Sequence, residues 1–356
     1  MPLMLARVLK DLFTRRSDSR AGQSAFAAGV AALDAGEHVA AAEHFARALR
    51  ADPEHAPAHQ YAGGIAFQAG RHREALAHLD SARRLDPENP QYHFDAAVVS
   101  AKLGELGPAR QCCEAALALA PNFSPAHGLL SNLDLPGPSY FELFPRIHSL
   151  LQPRTYLEIG VADGSSIALA RPETRAIGVD PEPKIGRPLG PRTEIRTATS
   201  DKYFATHDVR AELDGLPIDL AFIDGMHQFE FALRDFINIE KHSSPQSTIL
   251  IHDCYPLNRI TAERERQTTF WSGDIWRLIL ILRKYRPDLS VNVIATAPTG
   301  LGVVRGLDPA SRVLYERLNE IVREFLALDY SVLAADKAGM LALHPNDWEK
   351  VKAILR

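Results

Sequence analysis

Cysteine is scarce in this chain: three among 356 residues, two of them adjacent as Cys112 and Cys113. That supply builds neither a disulfide framework nor a zinc quartet, and a reducing, cytoplasmic setting is expected. Long apolar runs are missing as well. The longest candidate, WRLILILRKY at 276–285, ends in charges and falls short of the ~18 residues a membrane helix needs. A surplus of one charge sign is also lacking. With 40 basic against 44 acidic residues the formal net charge is −4, which leaves no electrostatic footprint for nucleic acid. Neither a phosphate loop G-x-x-x-x-G-K-[ST] nor a serine-hydrolase elbow G-x-S-x-G occurs. The first 20 residues are basic but lack the apolar core and small-residue cleavage site of a signal peptide. They read as a basic helix or tail.

What is present first is a period. Gly36, Gly70 and Gly104 lie 34 residues apart, as do Pro53, Pro87 and Pro121. Alanines hold the same offsets at 41, 75 and 109 and again at 48, 82 and 116, with Phe45, Leu79 and Cys113 as the bulky member. Gly29 and Gly63 match, while Ala97 stands at the third equivalent position. Small residues let two helices approach, glycine turns the chain and proline ends each unit. The pattern resembles the tetratricopeptide repeat. Residues 21–133 are therefore expected to form stacked all-α hairpins, each too small to bury its apolar face alone. Such repeats imply a protein partner or self-association. Seven histidines between His38 and His93 have no metal-ligand spacing and read as surface or groove residues.

Two prolines and a glycine in DLPGPSY mark a linker over 134–140. Beyond it, over 141–356, short apolar strands alternate with helical patterns: TYLEIG, RAIGVD, TEIRTA, IDLAFID, TILIHD, SVNVIATA and LGVVRGL are the strands. Strands alternating with helices predict an α/β fold, a mainly parallel sheet covered on both faces. Ligands of such sheets sit at the carboxyl ends of the strands.

At the first strand end the chain reads EIGVADGSSIALA, a strand, a glycine turn and the expected start of a helix. A dinucleotide fingerprint needs three glycines, whereas here the positions hold Gly160, Ala162 and Ser165, and alanine in the middle would crowd a pyrophosphate. S-adenosyl-L-methionine has no phosphate. An acid, Glu158, suits its positive groups, and Gly160 and Gly164 allow close backbone approach. Asp180, 20 residues past Gly160, closes the second strand and suits ribose hydroxyls. Ser200 and Asp201 follow the third strand, where an adenine amine would be met.

The E-I-G-V-x-D-G turn, the G-V-D acid and the F-I-D-G-x-H and H-D segments resemble the class I S-adenosylmethionine-dependent methyltransferases, in the branch of the sugar and macrolide O-methyltransferases. The resemblance covers roughly 140–306 and implies a Rossmann-like sheet behind the helical repeats. It implies cofactor contacts at Glu158, Gly160, Gly164 and Asp180. It further implies a divalent metal, Mg²⁺ in the relatives, at Asp224 and Asp253, and a general base at His227. His252 stands where some relatives carry an acid, so it joins the metal set as a candidate and leaves a softer ion, or none, open. The acceptor implied is a hydroxyl of a sugar or glycosylated small molecule, a poor nucleophile that needs a base or metal. An interaction protein with a binding-only sheet domain is the alternative. The polar segment 258–274 reads as a lid or as a solvated loop, and Trp271 and Trp276 as pocket walls or helix anchors.

Overall fold

The computed structural model describes residues 20–356, so the basic N-terminal segment lies outside the described residues. The chain divides into two compact units, residues 1–130 and 131–356.

In the first unit, helix α1 (20–34) pairs with α2 (His38–Ala51), α3 (Ala56–Gln68) with α4 (His72–Leu85), and α5 (Pro90–Lys102) with α6 (Leu106–Leu119). Helix α7 (Ser124–Asp134) follows. Gly36, Gly70 and Gly104 turn each hairpin at φ of 75–77°, a backbone shape that side chains disfavour. The six periodic alanines are fully buried, as are Phe45 and Cys113, with Leu79 nearly so. The variation at the remaining position has a steric reason. A Cβ on Gly29 would stand 2.6 Å from the Phe45 ring, and one on Gly63 2.9 Å from Leu79. In the third unit the bulky partner shrinks to Cys113, which leaves room for the methyl of Ala97. The histidines prove structural. His59 and His93, one period apart, bond through Nε2 to the carbonyls of Pro53 and Pro87, at 3.0 and 2.8 Å. His55 is buried and its Nδ1 caps α3 by accepting from Ala58 N.

The second unit opens with α8 (Tyr140–Leu151), started by a capping box between Ser139 and Glu142. Then come β1 (Thr155–Ile159), β2 (Arg175–Asp180), β3 (Thr193–Thr197), α9 (Ser200–Thr206), α10 (Val209–Glu212), β4 (Ile218–Ile223), α11 (Phe229–Lys241) and β5 (Ser243–Ile251). The rest comprises α12 (Trp276–Tyr285), β6 (Ser290–Ile294), β7 (Leu301–Arg305), α13 (Val313–Glu316), α14 (Leu318–Leu326), α15 (Tyr330–Ala335), α16 (Lys337–Met340), β8 (Leu343–His344) and α17 (Trp348–Leu355). One sheet runs β3-β2-β1-β4-β5-β7-β6-β8, parallel throughout except where β7 lies antiparallel to β5 and β6. All seven strands expected from sequence form, and β8 adds a two-residue eighth. The core over the sheet joins Tyr140, Phe144 and Ile147 of α8 to Leu157-side neighbours Tyr156, Leu220, Phe222 and Leu250. Strand order reverses between β1 and β4, so the chain ends 160–166 and 224–227 face each other across that switch point.

One expectation fails locally. No helix follows the glycine turn; only a single 3₁₀ turn forms at Ile167–Leu169. Pro172 lies close behind, lacks an N–H and disfavours a helical residue before it, so seven residues cannot establish an α-helix.

Candidate active site

The turn after β1 is shaped by what lies against it. Gly160 has φ +86°, and a Cβ there would fall 2.1 Å from the carbonyl oxygen of Asp224. The β1 and β4 exits therefore touch backbone to backbone, which any side chain would prevent. Gly164 bends the turn at φ +83°. Asp180 ties the turn to β2: its Oδ2 accepts from Val161 N and Ala162 N, both at 2.9 Å, and its Oδ1 from Glu182 N at 2.7 Å.

Glu158 stands elsewhere than the sequence suggested. It is fully buried beneath the turn, where it accepts from Tyr156 Oη and Ser166 Oγ, each at 2.6 Å. The carboxylate thus braces the turn from below and presents nothing to the crevice. Burial pushes its pKa up to about 8, against the opposing hydrogen bonds of Ser166 and Tyr156. A carboxyl with a raised folded-state pKa contributes stability that is complete below its unfolded value and is lost as pH rises through about 8. Glu158→Gln removes that titration. The melting temperature of this variant relative to the wild type should rise between pH 5 and pH 8.5; a constant difference would refute the buried neutral carboxyl.

Asp201 follows the third strand and lines the crevice beside Asp180. Its carboxylate is engaged by the Arg234 guanidinium, with contacts of 2.8–3.2 Å. Ser200 begins α9 behind the Thr199 cap and hydrogen-bonds Asp235 of α11.

Two cavities open at the strand ends. One, of about 490 Å³, is lined by Gly160, Asp180, Ser200, Asp201, Phe231 and Asp235. The other, of about 520 Å³, is walled by Tyr140, Phe141, Phe270 and Trp271, with Asp253 and Thr299 deeper in. Gly160, Ala162, Asp224 and His227 belong to both.

At that junction Asp224, His227 and Asp253 bring one donor atom each to within 4.8 Å of one another. Neighbouring strands β4 and β5 deliver the two acids. Asp253 adopts φ +59°, which an aspartate tolerates. His227 Nδ1 donates to the Trp271 carbonyl at 3.2 Å, which turns Nε2 toward the acids. That Nε2 lies 3.1 Å from Asp253 Oδ2, a buried oxygen, and 4.0 Å from Asp224 Oδ1. The two carboxylates offer oxygen donors to a divalent cation at this junction.

His252 falls outside this donor set, contrary to its sequence assignment as a ligand. Its Nδ1 donates to Asp224 Oδ1 at 3.0 Å and lies 3.4 Å from Asp253 Oδ2. Burial alone would lower its pKa; the adjacent Asp224 and Asp253 carboxylates outweigh burial and raise it well above the ordinary value. Its Nδ1 is turned to Asp224 and its Nε2 to Thr299 Oγ1, so the ring holds the two acids in place from outside the cluster. Asp253 is the converse case: burial works upward, but His252, His227 and the 2.7 Å hydrogen bond from Thr299 Oγ1 carry its pKa below the ordinary carboxylate range.

The 258–274 segment is an anchored strap. Trp271 Nε1 donates to Glu263 O at 2.6 Å, and Arg264 joins Glu230 to the buried Asp274, which also pairs with Arg277. Gly273, at φ +60°, lets the strap lie directly on the His227 carbonyl, to which Asp274 N donates at 3.2 Å. Trp271 stacks on His227 with ring centroids 4.9 Å apart, while Trp276 is fully buried in the core. The two tryptophans thus divide the roles of wall and anchor.

Sequence reading missed Tyr140, Phe141 and Thr299, which the chain separates widely from the motifs, and also Asp235, in the helix that follows His227. Asp235 left a trace: it is an acid on the face of FEFALRDFINIEK that also buries Ala232, Phe236 and Ile239.

Comparison with known proteins matches this architecture in two places. A family model described as a methyltransferase domain matches residues 157–254. Tetratricopeptide repeat models match 32–93 and 66–133, and another matches 6–56. Similar solved structures include the first TPR of Spaghetti (RPAP3) bound to an HSP90 peptide, at 18% identity, covering 32% of this chain and 91% of that one, with a TM-score of 0.32. The Arabidopsis OM64 TPR domain is similar at 16% identity, covering 33% and 96%, TM-score 0.32. MamA from Desulfovibrio magneticus RS-1 is similar at 18% identity, covering 32% and 64%, TM-score 0.30. No curated protein matches. The chain carries N-terminal tetratricopeptide repeats followed by a methyltransferase domain.

Proposed function

We propose that the second unit is an S-adenosyl-L-methionine-dependent O-methyltransferase acting on a hydroxyl of a sugar or glycosylated small molecule. The observation that carries this reading is the meeting of two cavities at Gly160, Ala162, Asp224 and His227. One has the acids and hydroxyls suited to a nucleoside; the other has aromatic walls suited to a ring-bearing acceptor. Methyl transfer needs donor and nucleophile held in line at a shared opening.

S-adenosylmethionine, when bound, supplies a methyl on a sulfonium. Asp180 has lone pairs left for ribose hydroxyls beyond those it gives to Val161 and Ala162. Asp224 and Asp253 would hold a divalent cation, whose field acidifies a hydroxyl beside it. His227 Nε2, its lone pair fixed by the Nδ1 bond to Trp271, takes the hydroxyl proton. Trp271 and the strap keep that imidazole in one orientation and exclude water from its outer face. Asp224 and Asp253 offer oxygen donors, which suit Mg²⁺ and Mn²⁺ alike and leave the His227 lone pair free.

The repeats would bind a protein partner or a second copy of the chain. No described helix is long and apolar enough to cross a membrane.

A thermal-shift titration tests the donor assignment. S-adenosylhomocysteine at 100 times its dissociation constant should stabilise the unit by about 2.7 kcal/mol. An unchanged melting temperature at saturating concentrations would favour the interaction-protein alternative.

A further inference from the structure

The acceptor cavity holds a hydroxyl donor for which the fold supplies no acceptor. Tyr140 is the first residue of α8 and lines this cavity with Asp224, His227, Asp253 and Trp271. Its backbone N donates to Ala297 O at 3.3 Å. Its ring packs on His252, Phe144 and Phe222, with centroids 4.5, 5.7 and 6.3 Å away. The side chain is thus held in place and only 7% exposed. Its phenol oxygen makes no hydrogen bond among the described residues, yet it is not enclosed. The hydroxyls of Tyr156 and Tyr255 differ, being engaged by Glu158 and Asp134. Burial, followed by the nearby carboxylates of Asp224 and Asp253, pushes the Tyr140 pKa well above the ordinary phenol range, so the group stays protonated and offers a hydrogen.

Resting on the acceptor reading above, we propose that Tyr140 is a catalytic residue whose phenol donates a hydrogen bond to the substrate oxygen as that oxygen is methylated. Two ring pairs border the acids of the junction, Tyr140 with His252 and Trp271 with His227. A substrate hydroxyl lying between the pairs accepts from Tyr140 Oη and donates to His227 Nε2. Its proton passes to His227, and the oxygen forms the new bond to the methyl carbon. The electron pair of the broken carbon–sulfur bond returns to sulfur, leaving S-adenosylhomocysteine. Tyr140 keeps its own proton throughout. A donor fixed before the reaction stabilises charge on that oxygen without reorganising. It also restricts the directions in which the oxygen can present a lone pair to the methyl group.

The test follows transfer from methyl-labelled S-adenosylmethionine to methyl glucoside, methyl mannoside and methyl rhamnoside. On a glycoside that the wild-type protein methylates, Tyr140→Phe should lower kcat by about 10²-fold, the effect of deleting one preorganised donor. KM should stay within about 3-fold of wild type, because the interaction belongs to the transition state. Affinity for S-adenosylhomocysteine, read by calorimetry, should be unchanged, since the phenylalanine ring keeps the packing. Fluorotyrosine at position 140 keeps both shape and hydroxyl, so it should hold kcat within about 3-fold of wild type. A fluorotyrosine protein as slow as Tyr140→Phe would overturn the assignment, whatever the stability of the phenylalanine variant. Full activity of Tyr140→Phe, or a raised KM at unchanged kcat, would overturn it as well, the second by placing the phenol on a remote substrate oxygen. Transfer to none of the three glycosides by a wild-type protein that binds S-adenosylhomocysteine would overturn the sugar-acceptor reading together with this one.

Discussion

His227→Ala should lower turnover by about 10²- to 10⁴-fold, the range general-base catalysis supplies. Affinity for S-adenosylhomocysteine should stay within a few-fold of wild type. The split follows from geometry. His227 borders the donor cavity but Nε2, the proposed base, points at Asp253 and Asp224. Loss of its ring removes a proton acceptor and a stacking partner of Trp271, while Asp180, Gly160 and Asp235 are untouched. Trp271→Ala should act in the same direction more weakly, because it removes the stack while the backbone carbonyl that orients Nδ1 remains. A His227→Ala enzyme as fast as wild type would dismiss the base. A variant that instead lost divalent-ion affinity would recast His227 as a ligand. Calorimetry with Mn²⁺ separates the two outcomes.

Removal of the divalent ion should be comparably severe. A cation beside a developing alkoxide contributes several kcal/mol, so chelation should slow turnover by roughly 100-fold or more, reversed by Mn²⁺ or Mg²⁺. Asp253→Asn is the informative variant, since asparagine tolerates the left-handed backbone at φ +59° that most side chains disfavour. It keeps the carbonyl that accepts from Thr299 and removes the negative charge that faces His227 and His252. The expected result is weakened Mn²⁺ binding together with lost turnover, in a protein that still binds S-adenosylhomocysteine. Full activity after exhaustive chelation would refute the metal.

These two effects are large because the junction concentrates charge in a small buried volume. Asp224 and Asp253 face His227 and His252 from adjacent strand ends. Each substitution leaves the remaining charges of the cluster without a partner.

Periodicity made the front of the chain readable without coordinates. A 34-residue recurrence of glycine, alanine and proline admits one helical-hairpin solution, because each residue type does the same steric work in every unit. The alternation of apolar strands with amphipathic helices likewise specified a mainly parallel sheet. The acids at strand ends were legible because the residue where a strand leaves the sheet points into the crevice. Asp180, Asp224, Asp253 and His227 all stand at that crevice.

Sequence could not assign orientation and partnership. Glu158 carries the same letter whether it faces the ligand or braces the turn; the hydroxyls of Tyr156 and Ser166, close in space on the buried side, decided it. His252 became a bridge between two acids because β4 and β5 are neighbours, and Asp201 gained an arginine partner 33 residues away. Asp235 and the aromatic walls reached the cavities through packing of α11, α8 and the strap. Local spacing fixes which elements form, since backbone sterics and apolar periodicity act over a few residues. Which lone pair meets which proton depends on residues brought together across the sheet, and only the folded chain sets those distances.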